Sequence, residues 1–380
     1  TLFQDAAGST PVTAVEQPVG RILDKSGRGN HATQATTTKR PVYSRRVNLL
    51  TYLGAPIDET WGSLPASVRY VEAPDGSITA VVPKTAAASN RWQFAIAAGT
   101  YPNGTKLTYS FYKKTVPSSG ISGQLLGIYN LVGLSVISST ESQPDSKGFT
   151  RVSVVLSVTD SAVQQLIRLY LNGVVGADDI AVWGHQLDIG EVATTYQRIY
   201  SATDYDADPS KFPAYLRFDG VDDALQTGNI DFTSTDKMTV WAGVTPLLAG
   251  GSQCIAANTF TTGRFALISD SAGLSQFESR GSSGSYAQAA PLMAGQVLSG
   301  RGDISGDVSV LRRNGVQVAS NAADQGTGNY GNAPLIIGGF TVSSSYFNGR
   351  IYSLIVRGAQ TPLAQIEATE LYIKQKMRMP

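Results

Sequence analysis

The stretch TRVSVVLSVT, residues 150–159, alternates apolar and polar side chains along most of its length. Side chains of a strand point to opposite faces with a period of two, so this pattern reads as a half-buried strand with one face toward a core. Working outward, KLTYSFYKKT (106–115), LIRLYLNG (166–173), KMTVWAGV (237–244), VSVLRRNG (308–315) and RIYSLIVRG (350–358) show strand patterning too. Asn-Gly recurs at Asn103-Gly104, Asn172-Gly173, Asn314-Gly315 and Asn348-Gly349. That dipeptide tolerates the positive φ angles of tight hairpin turns, which predicts antiparallel pairing. Strands at such regular spacing predict sandwiches or barrels, and the expected fold class is all-β.

Composition sets the bounds. The chain has 380 residues, 30 Lys+Arg against 29 Asp+Glu, 42% hydrophobic and 16% charged residues, and 39 Gly. At roughly 100–200 residues per domain, this length predicts two domains, each with its own core. The near-zero net charge argues against nonspecific polyanion binding, so no nucleic-acid partner is expected. A single cysteine, Cys254, excludes an intramolecular disulfide framework and a thiolate zinc site. No apolar run approaches the roughly 20 residues of a membrane span, and no membrane insertion is expected. The opening TLFQDAAGST lacks the basic-then-apolar pattern of a signal peptide, and a start at Thr reads as part of a longer polypeptide.

One helix is predicted, over TPLAQIEATELYIKQKM (361–377), with Thr361 as cap and Pro362 at the first helical position. It is expected to close one end of a sandwich. No tandem repeat is present, which argues against a solenoid or propeller. The polar stretch SATDYDADPSKFP (201–213) reads as a domain boundary.

Two distant stretches, LDKSGRGNHATQATTTKRPVY (23–43) and FPAYLRFDGVDDALQTG (212–228), resemble parts of one pattern found in concanavalin A-like (LamG-type) jelly rolls of phage and bacterial surface proteins. LIIGG (335–339), FNGRIYSLIV (347–356) and the final helix fit the same pattern. Between them, RVNLLTY (46–52), EAPDGSITA (72–80) and VWGHQLDIGEVATTYQRI (182–199) resemble the carbohydrate-binding-module-like jelly roll of phage tail proteins. That match departs at Leu53, where Ser is usual, and at Asp188, where Glu is usual. The opening LFQDAAGSTPVTAVEQPVG (2–20) further resembles tail-fibre and tail-associated proteins. Together the resemblances imply two jelly-roll β-sandwiches, one inserted into the other, with a short C-terminal helix. The outer sandwich is expected over 1–46 plus 205–380 and the insert over 47–204.

Catalytic chemistry has few candidates. The histidines, His31 and His185, lie inside motifs of the resemblance and read as structural or surface residues, and Cys254 reads as a small buried apolar residue. Glycoside hydrolysis needs two carboxylates about 5–9.5 Å apart flanking the scissile bond. The acidic pairs Asp178-Asp179 and Asp222-Asp223 are expected at turns, and neighbours within a strand point to opposite faces. No enzyme activity is expected. The tripeptide Arg301-Gly302-Asp303 matches a cell-adhesion motif and reads as coincidence.

Jelly-roll binding modules of the kind resembled hold a structural Ca²⁺ through carboxylates and backbone carbonyls, the ligands a hard cation prefers. The resemblance offers Asp188 with carbonyls near Asn48 in the insert, and Asp219, Asp222 and Asp223 in the outer sandwich. Turn formation alone also accounts for the FDGVDD string.

Sugar binding sets an aromatic face against a pyranose, with amide, carboxylate or Arg groups on its hydroxyls. The insert offers Trp61, Trp92, Tyr101, Tyr112 and Trp183, with Arg91 and Gln93 flanking Trp92. The outer sandwich offers Tyr286, Tyr330, Tyr346 and Phe347 in Gly/Ser/Asn-rich loops, where binding residues concentrate. Trp92 and Tyr330 lead this set, with Arg91, Tyr101, Trp183 and Tyr346 beside them. The expected function is a noncatalytic phage tail or tail-fibre component of the virion that recognises host surface polysaccharide or lipopolysaccharide. Its expected partners include other tail proteins and copies of itself, a trimer by analogy. The alternatives are a structural virion part without a glycan ligand and, behind it, a polysaccharide depolymerase.

Overall fold

Period-two patterning becomes antiparallel sheets throughout. The computed structural model describes residues 1–50, 68–78, 80–83, 91–117, 124–128, 131–173, 178–201, 203–247, 251–258, 262–270, 273–291 and 294–379. The chain divides into two compact units, one of Thr1–Arg45 with Asp208–Pro380 and one of Arg46–Ala207. Among the described residues, the secondary structure is β apart from a 3₁₀ turn at Thr37–Lys39 and the helix Leu363–Lys376.

In the first unit, a nine-stranded sheet runs in the order Leu2–Phe3, Arg21–Ile22, Ala32–Thr33, Leu225–Asp231, Asn332–Ile337, Gln253–Asn258, Arg264–Ser269, Leu274–Arg280, Gly284–Pro291. An eight-stranded sheet runs Gln17–Pro18, Val42–Ser44, Tyr215–Asp219, Asn348–Arg357, Lys237–Pro246, Gln296–Asp303, Val308–Arg313, Val316–Asn321. Leu225, Ile255, Phe265, Leu267, Phe277 and Leu335 of the first sheet share one core with Phe218, Val240, Val244, Leu298 and Leu311 of the second. Removing this apolar surface from water, at about 25 cal/mol per Å², is the main term holding the sandwich. Asn314 and Gly315, at φ 51° and 90°, make the hairpin turn between the last two strands of the eight-stranded sheet. Asn103-Gly104 also forms a tight turn, with Gly104 at φ 87° and the Thr105 amide donating to the Pro102 carbonyl at 3.2 Å, whereas the remaining two pairs differ. Asn172-Gly173 ends the strand Gln165–Gly173, and Asn348-Gly349 begins the strand Asn348–Arg357.

The helix Leu363–Lys376 corrects two expectations. Pro362, at φ −59° and ψ 146°, occupies the N-cap, and its carbonyl accepts from the Gln365 and Ile366 amides, so Thr361 does not cap. Ile366 and Ile373 pack with Trp241, Val297 and Met377 on the outer face of the eight-stranded sheet, so the helix covers a face instead of an end. This explains why Lys237–Pro246 is buried on both sides, with Val240, Ala242 and Val244 inward and Trp241 under the helix. Glu370 accepts from Ser299 Oγ and from Arg312 Nε at 3.0 Å, tying helix to sheet.

The second unit has a six-stranded sheet, Leu134–Glu141, Thr150–Val158, Lys106–Pro117, Asp178–Ile189, Ala80–Pro83, Val68–Val71, and a three-stranded sheet, Gln124–Ile128, Gln165–Gly173, Arg91–Ile96. Leu107, Tyr109, Phe111, Val152, Val154 and Leu156 of the larger sheet meet Phe94, Ile96, Ile167 and Leu169 of the smaller in one core. The backbone at Asp178-Asp179 opens a strand and not a turn.

Candidate functional site

The sugar-contact residues expected from sequence separate once placed. Tyr330 is fully buried: its ring meets Phe265 edge-on at 6.2 Å and its hydroxyl bonds Ser279 Oγ at 2.7 Å, so it has no face for a ligand. Tyr101 is buried in the second unit's core for the same apolar reason. Trp183 is half-buried, its ring 4.5 Å from that of Tyr196 and 5.4 Å from that of Tyr112, and both it and Tyr112 pack on a small second core of Ala73, Val116, Phe149 and Ala181. These rings close the outer side of the six-stranded sheet. The side chains of Arg91 and Trp92, and the whole of Trp61 and Leu53, lie outside the described residues. Tyr346 is half-buried, with its hydroxyl on the Val342 carbonyl at 2.9 Å. Phe347 is buried in the first unit's core.

The calcium candidates also separate. Asn48 donates from Nδ2 to the His185 and Gln197 carbonyls at 3.1 and 3.2 Å and accepts at Oδ1 from the Leu50 and Leu187 amides at 3.1 Å. Asp188 accepts from Thr194 Oγ1 at 2.6 Å and from Gln186 Nε2 at 2.8 Å. Burial pushes the Asp188 carboxyl up against the pull of these donors. The two ends of this unit meet here through amide side chains, with N–H groups facing the carboxylate where a cation would sit, so the pair does not fit an ion. Asp219, Asp222 and Asp223 do fit, since one carboxylate oxygen from each converges within 4.8 Å. Asp219 Oδ1 accepts from the Val221 amide at 2.8 Å, the Asx turn expected of an FDG string. Burial, then the Asp219 charge, pushes the Asp223 carboxyl up to about 7.

Both histidines and the cysteine are held by the fold. His185 is buried with Nδ1 2.7 Å from the Tyr109 hydroxyl, and burial holds its pKa down to about 3. His31 Nδ1 accepts the Asp24 amide at 3.0 Å within its loop. Cys254 is fully buried, and its thiol is pushed well up. Arg301-Gly302-Asp303 lies in the strand Gln296–Asp303, with Asp303 paired to Lys237, so it is not displayed as a loop.

A different constellation lies on the face of the nine-stranded sheet opposite the core. In LSQFESR (274–280), Phe277 points into the core, so Gln276, Glu278 and Arg280 share the other face. Register sets Arg264 opposite Arg280, Ala266 opposite Glu278, and Glu278 opposite Tyr286. Both guanidinium groups bond one oxygen: Arg264 Nε and Nη2 lie 3.0 and 2.9 Å from Glu278 Oε1, and Arg280 Nε lies 2.9 Å from it. Arg280 Nη2 continues to the Tyr286 hydroxyl at 2.7 Å. At the other end the Arg264 guanidinium stands 5.2 Å from the centre of the Phe340 ring. Gln288 Nε2 extends the polar row to Gln276 Oε1 at 2.9 Å and Asp270 Oδ2 at 3.1 Å. Gly284 makes this arrangement sterically accessible, because a Cβ there would stand 2.8 Å from Arg280 Nη2 and 2.9 Å from the Tyr286 hydroxyl oxygen.

The result is a strip across three strands, about 10 Å between the outer two at the usual strand spacing. It carries an aromatic ring at each end and guanidinium donors fixed between them, so it can offer an apolar face and N–H groups to the same ligand. Tyr286, expected in a loop, stands in the strand Gly284–Pro291. Arg264, Glu278, Arg280 and Phe340 were missed. The available signal was charge at alternate positions of a strand whose other positions include Phe277.

No family model matches the chain, and no curated protein matches it. Among solved structures, the CBM40 of the Ruminococcus gnavus IT-sialidase bound to α2,3-sialyllactose is 15% identical, with a TM-score of 0.31 over 38% of this chain and 97% of its own. A putative carbohydrate-binding protein from Bacteroides ovatus ATCC 8483 is 12% identical, with a TM-score of 0.32 over 73% of this chain and 78% of its own. Domains LG4-5 of the mouse laminin α1 chain are 13% identical, with a TM-score of 0.31 over 83% of this chain and 94% of their own. The antiparallel sandwich stands on the strand pairings and cores described above.

Proposed function

We propose that the protein is a noncatalytic glycan-binding component of a phage tail or tail fibre, and that the strip Phe340–Arg264–Glu278–Arg280–Tyr286 holds host-surface saccharide. The observation that carries the reading is the strip itself: two guanidinium groups fixed on one buried carboxylate between two aromatic rings, on a rigid sheet face. Preorganised donors lose little freedom when a ligand binds, which is where affinity for a flexible glycan is usually lost. The virion assignment is supported by the sequence resemblance to tail proteins. An oligomer, a trimer by analogy with tail fibres, would raise weak single-site affinity by multivalency. Asp219, Asp222 and Asp223 would hold a structural Ca²⁺, bracing the turn between the strands Tyr215–Asp219 and Leu225–Asp231.

The test is incubation of the full chain with host-surface polysaccharide, following both bound protein and new reducing ends. The reading expects binding without new ends. New ends would replace it with a depolymerase, and neither signal would replace it with a structural virion part.

A further inference from the structure

The side chains of the strip are unequal in what they offer to solvent. The Glu278 side chain is 4% exposed, whereas those of Arg264 and Arg280 are 21% and 24% exposed. A ligand lying on the strip therefore touches guanidinium edges before it touches the carboxylate. Arginine carries five N–H donors and no acceptor, and the Tyr286 hydroxyl already accepts from Arg280 and so has its own proton to give. The strip presents donors. Charge points the same way: two arginines bond one carboxylate, which leaves one positive charge uncompensated within the triad. Asp270, at the far end of the polar row, accepts from Gln288.

We propose that this strip selects saccharides bearing an oxyanion, a carboxylate or a sulfate, over their neutral counterparts. The selection rests on the glycan-binding reading above and adds the chemical class of the ligand. Neutral sugars carry hydroxyls that both donate and accept, and their donors would find few partners on a donor-rich edge. An oxyanion accepts only, and a guanidinium fork matches its geometry with two parallel bonds. Glu278 acts here as a positioning residue: it takes the Nε edge of each guanidinium and leaves the outer Nη groups to face a ligand.

The experiment compares full-chain binding to two matched pairs of polymers: dextran with dextran sulfate, and polygalacturonate with its carboxyl-reduced form. Each is measured for the wild type, for Arg264→Ala with Arg280→Ala, and for Lys25→Ala with Arg28→Ala. The last pair removes two charges from an exposed loop outside the strip. The expected result is that at least one anionic polymer binds about ten-fold or more tighter than its neutral partner, the size of one charge-assisted bond. The preference should vanish in the strip variant and persist in the loop variant. Whether sulfate, carboxylate or both win names the source of the oxyanion. If the arginine variant fails to fold because Glu278 is left buried and unpaired, the substitution Arg264→Met, Glu278→Leu, Arg280→Met removes all three charges and asks the same question. Neutral and anionic forms binding equally, or a preference that survives the strip variant, would overturn the inference while leaving glycan binding standing. Failure of all four polymers together with host polysaccharide would overturn the glycan reading itself.

Discussion

Gly284→Ala perturbs the strip without entering it. An added Cβ would stand 2.8 Å from Arg280 Nη2, 2.9 Å from the Tyr286 hydroxyl oxygen and 3.1 Å from Arg280 Cζ. Ordinary contact begins near 3.4 Å, so these groups must retreat by about half an ångström. Both are the far ends of flexible side chains, and the backbone of residue 284 is not in the left-handed region. The sheet has no reason to move. The 2.7 Å bond from Arg280 to Tyr286 is what breaks. For stability, a part-exposed hydrogen bond worth about 1 kcal/mol is set against a gain of about 0.4–1 kcal/mol from a less flexible unfolded chain. The net change should stay within about 1 kcal/mol. For binding, the displaced fork no longer meets its ligand, and affinity should fall about ten-fold, the equivalent of about 1.4 kcal/mol. Titration calorimetry with host polysaccharide and urea unfolding, run on the same preparations, measure the two quantities. A dissociation constant within about two-fold of wild type would refute the claim that the Arg280–Tyr286 placement carries recognition. A stability loss beyond about 2 kcal/mol would refute the claim that the strip is separable from the sheet.

Other outcomes follow from the same structure. Asp223 binds its proton more tightly folded, at about 7, than its ordinary 3.8, so its contribution to stability is full below about pH 4 and lost as pH rises through 7. The melting temperature of wild type relative to Asp223→Asn should therefore fall between pH 5 and about 8, and parallel curves would contradict it. At the upper end of that range, millimolar Ca²⁺ should raise the wild-type melting temperature and leave Asp219→Asn with Asp222→Asn unmoved. Glu370→Ala strands Arg312, which is 7% exposed, and should cost about 3 kcal/mol by urea unfolding, with Glu367 at 3.2 Å keeping the loss near the low end. Glu370→Leu with Arg312→Met should recover most of it, and equal losses in both variants would count against a buried-charge origin. Trp183→Ala removes the ring that Tyr112 and Tyr196 pack on, and should destabilise the second unit by about 3 kcal/mol with saccharide affinity unchanged. A selective loss of affinity would move the site to that unit.

Fold class was legible because period-two alternation is a local property, and the strands at 106–117, 150–158 and 237–246 each bury alternate side chains in a core. Covering was not legible. Trp241 is covered by the helix, and the helix's docking depends on Ile366 and Ile373 meeting a sheet distant in sequence. Aromatics gave the same difficulty in reverse: Tyr330 sits in a run of Gly and Asn that suggests a loop tip, yet its ring completes the core beside Phe265. At Asn48 and Asp188, residue types do not tell an ion site from hydrogen-bonded side chains: Asn48 accepts from the Leu187 amide, and Asp188 accepts from Thr194. The strip was hidden for a related reason. Arg264, Glu278 and Phe340 are spread over 77 positions, and only strand register and the loop after residue 337 bring them together.

The most direct measurement is the equilibrium affinity of the full chain for host-surface polysaccharide, in wild type and in Tyr286→Ala with Phe340→Ala. Wild type should bind saturably and the variant should lose about ten-fold or more, since two stacking contacts at about 1 kcal/mol each are removed. Undiminished binding by the variant, or no binding by wild type, would contradict glycan binding at the strip.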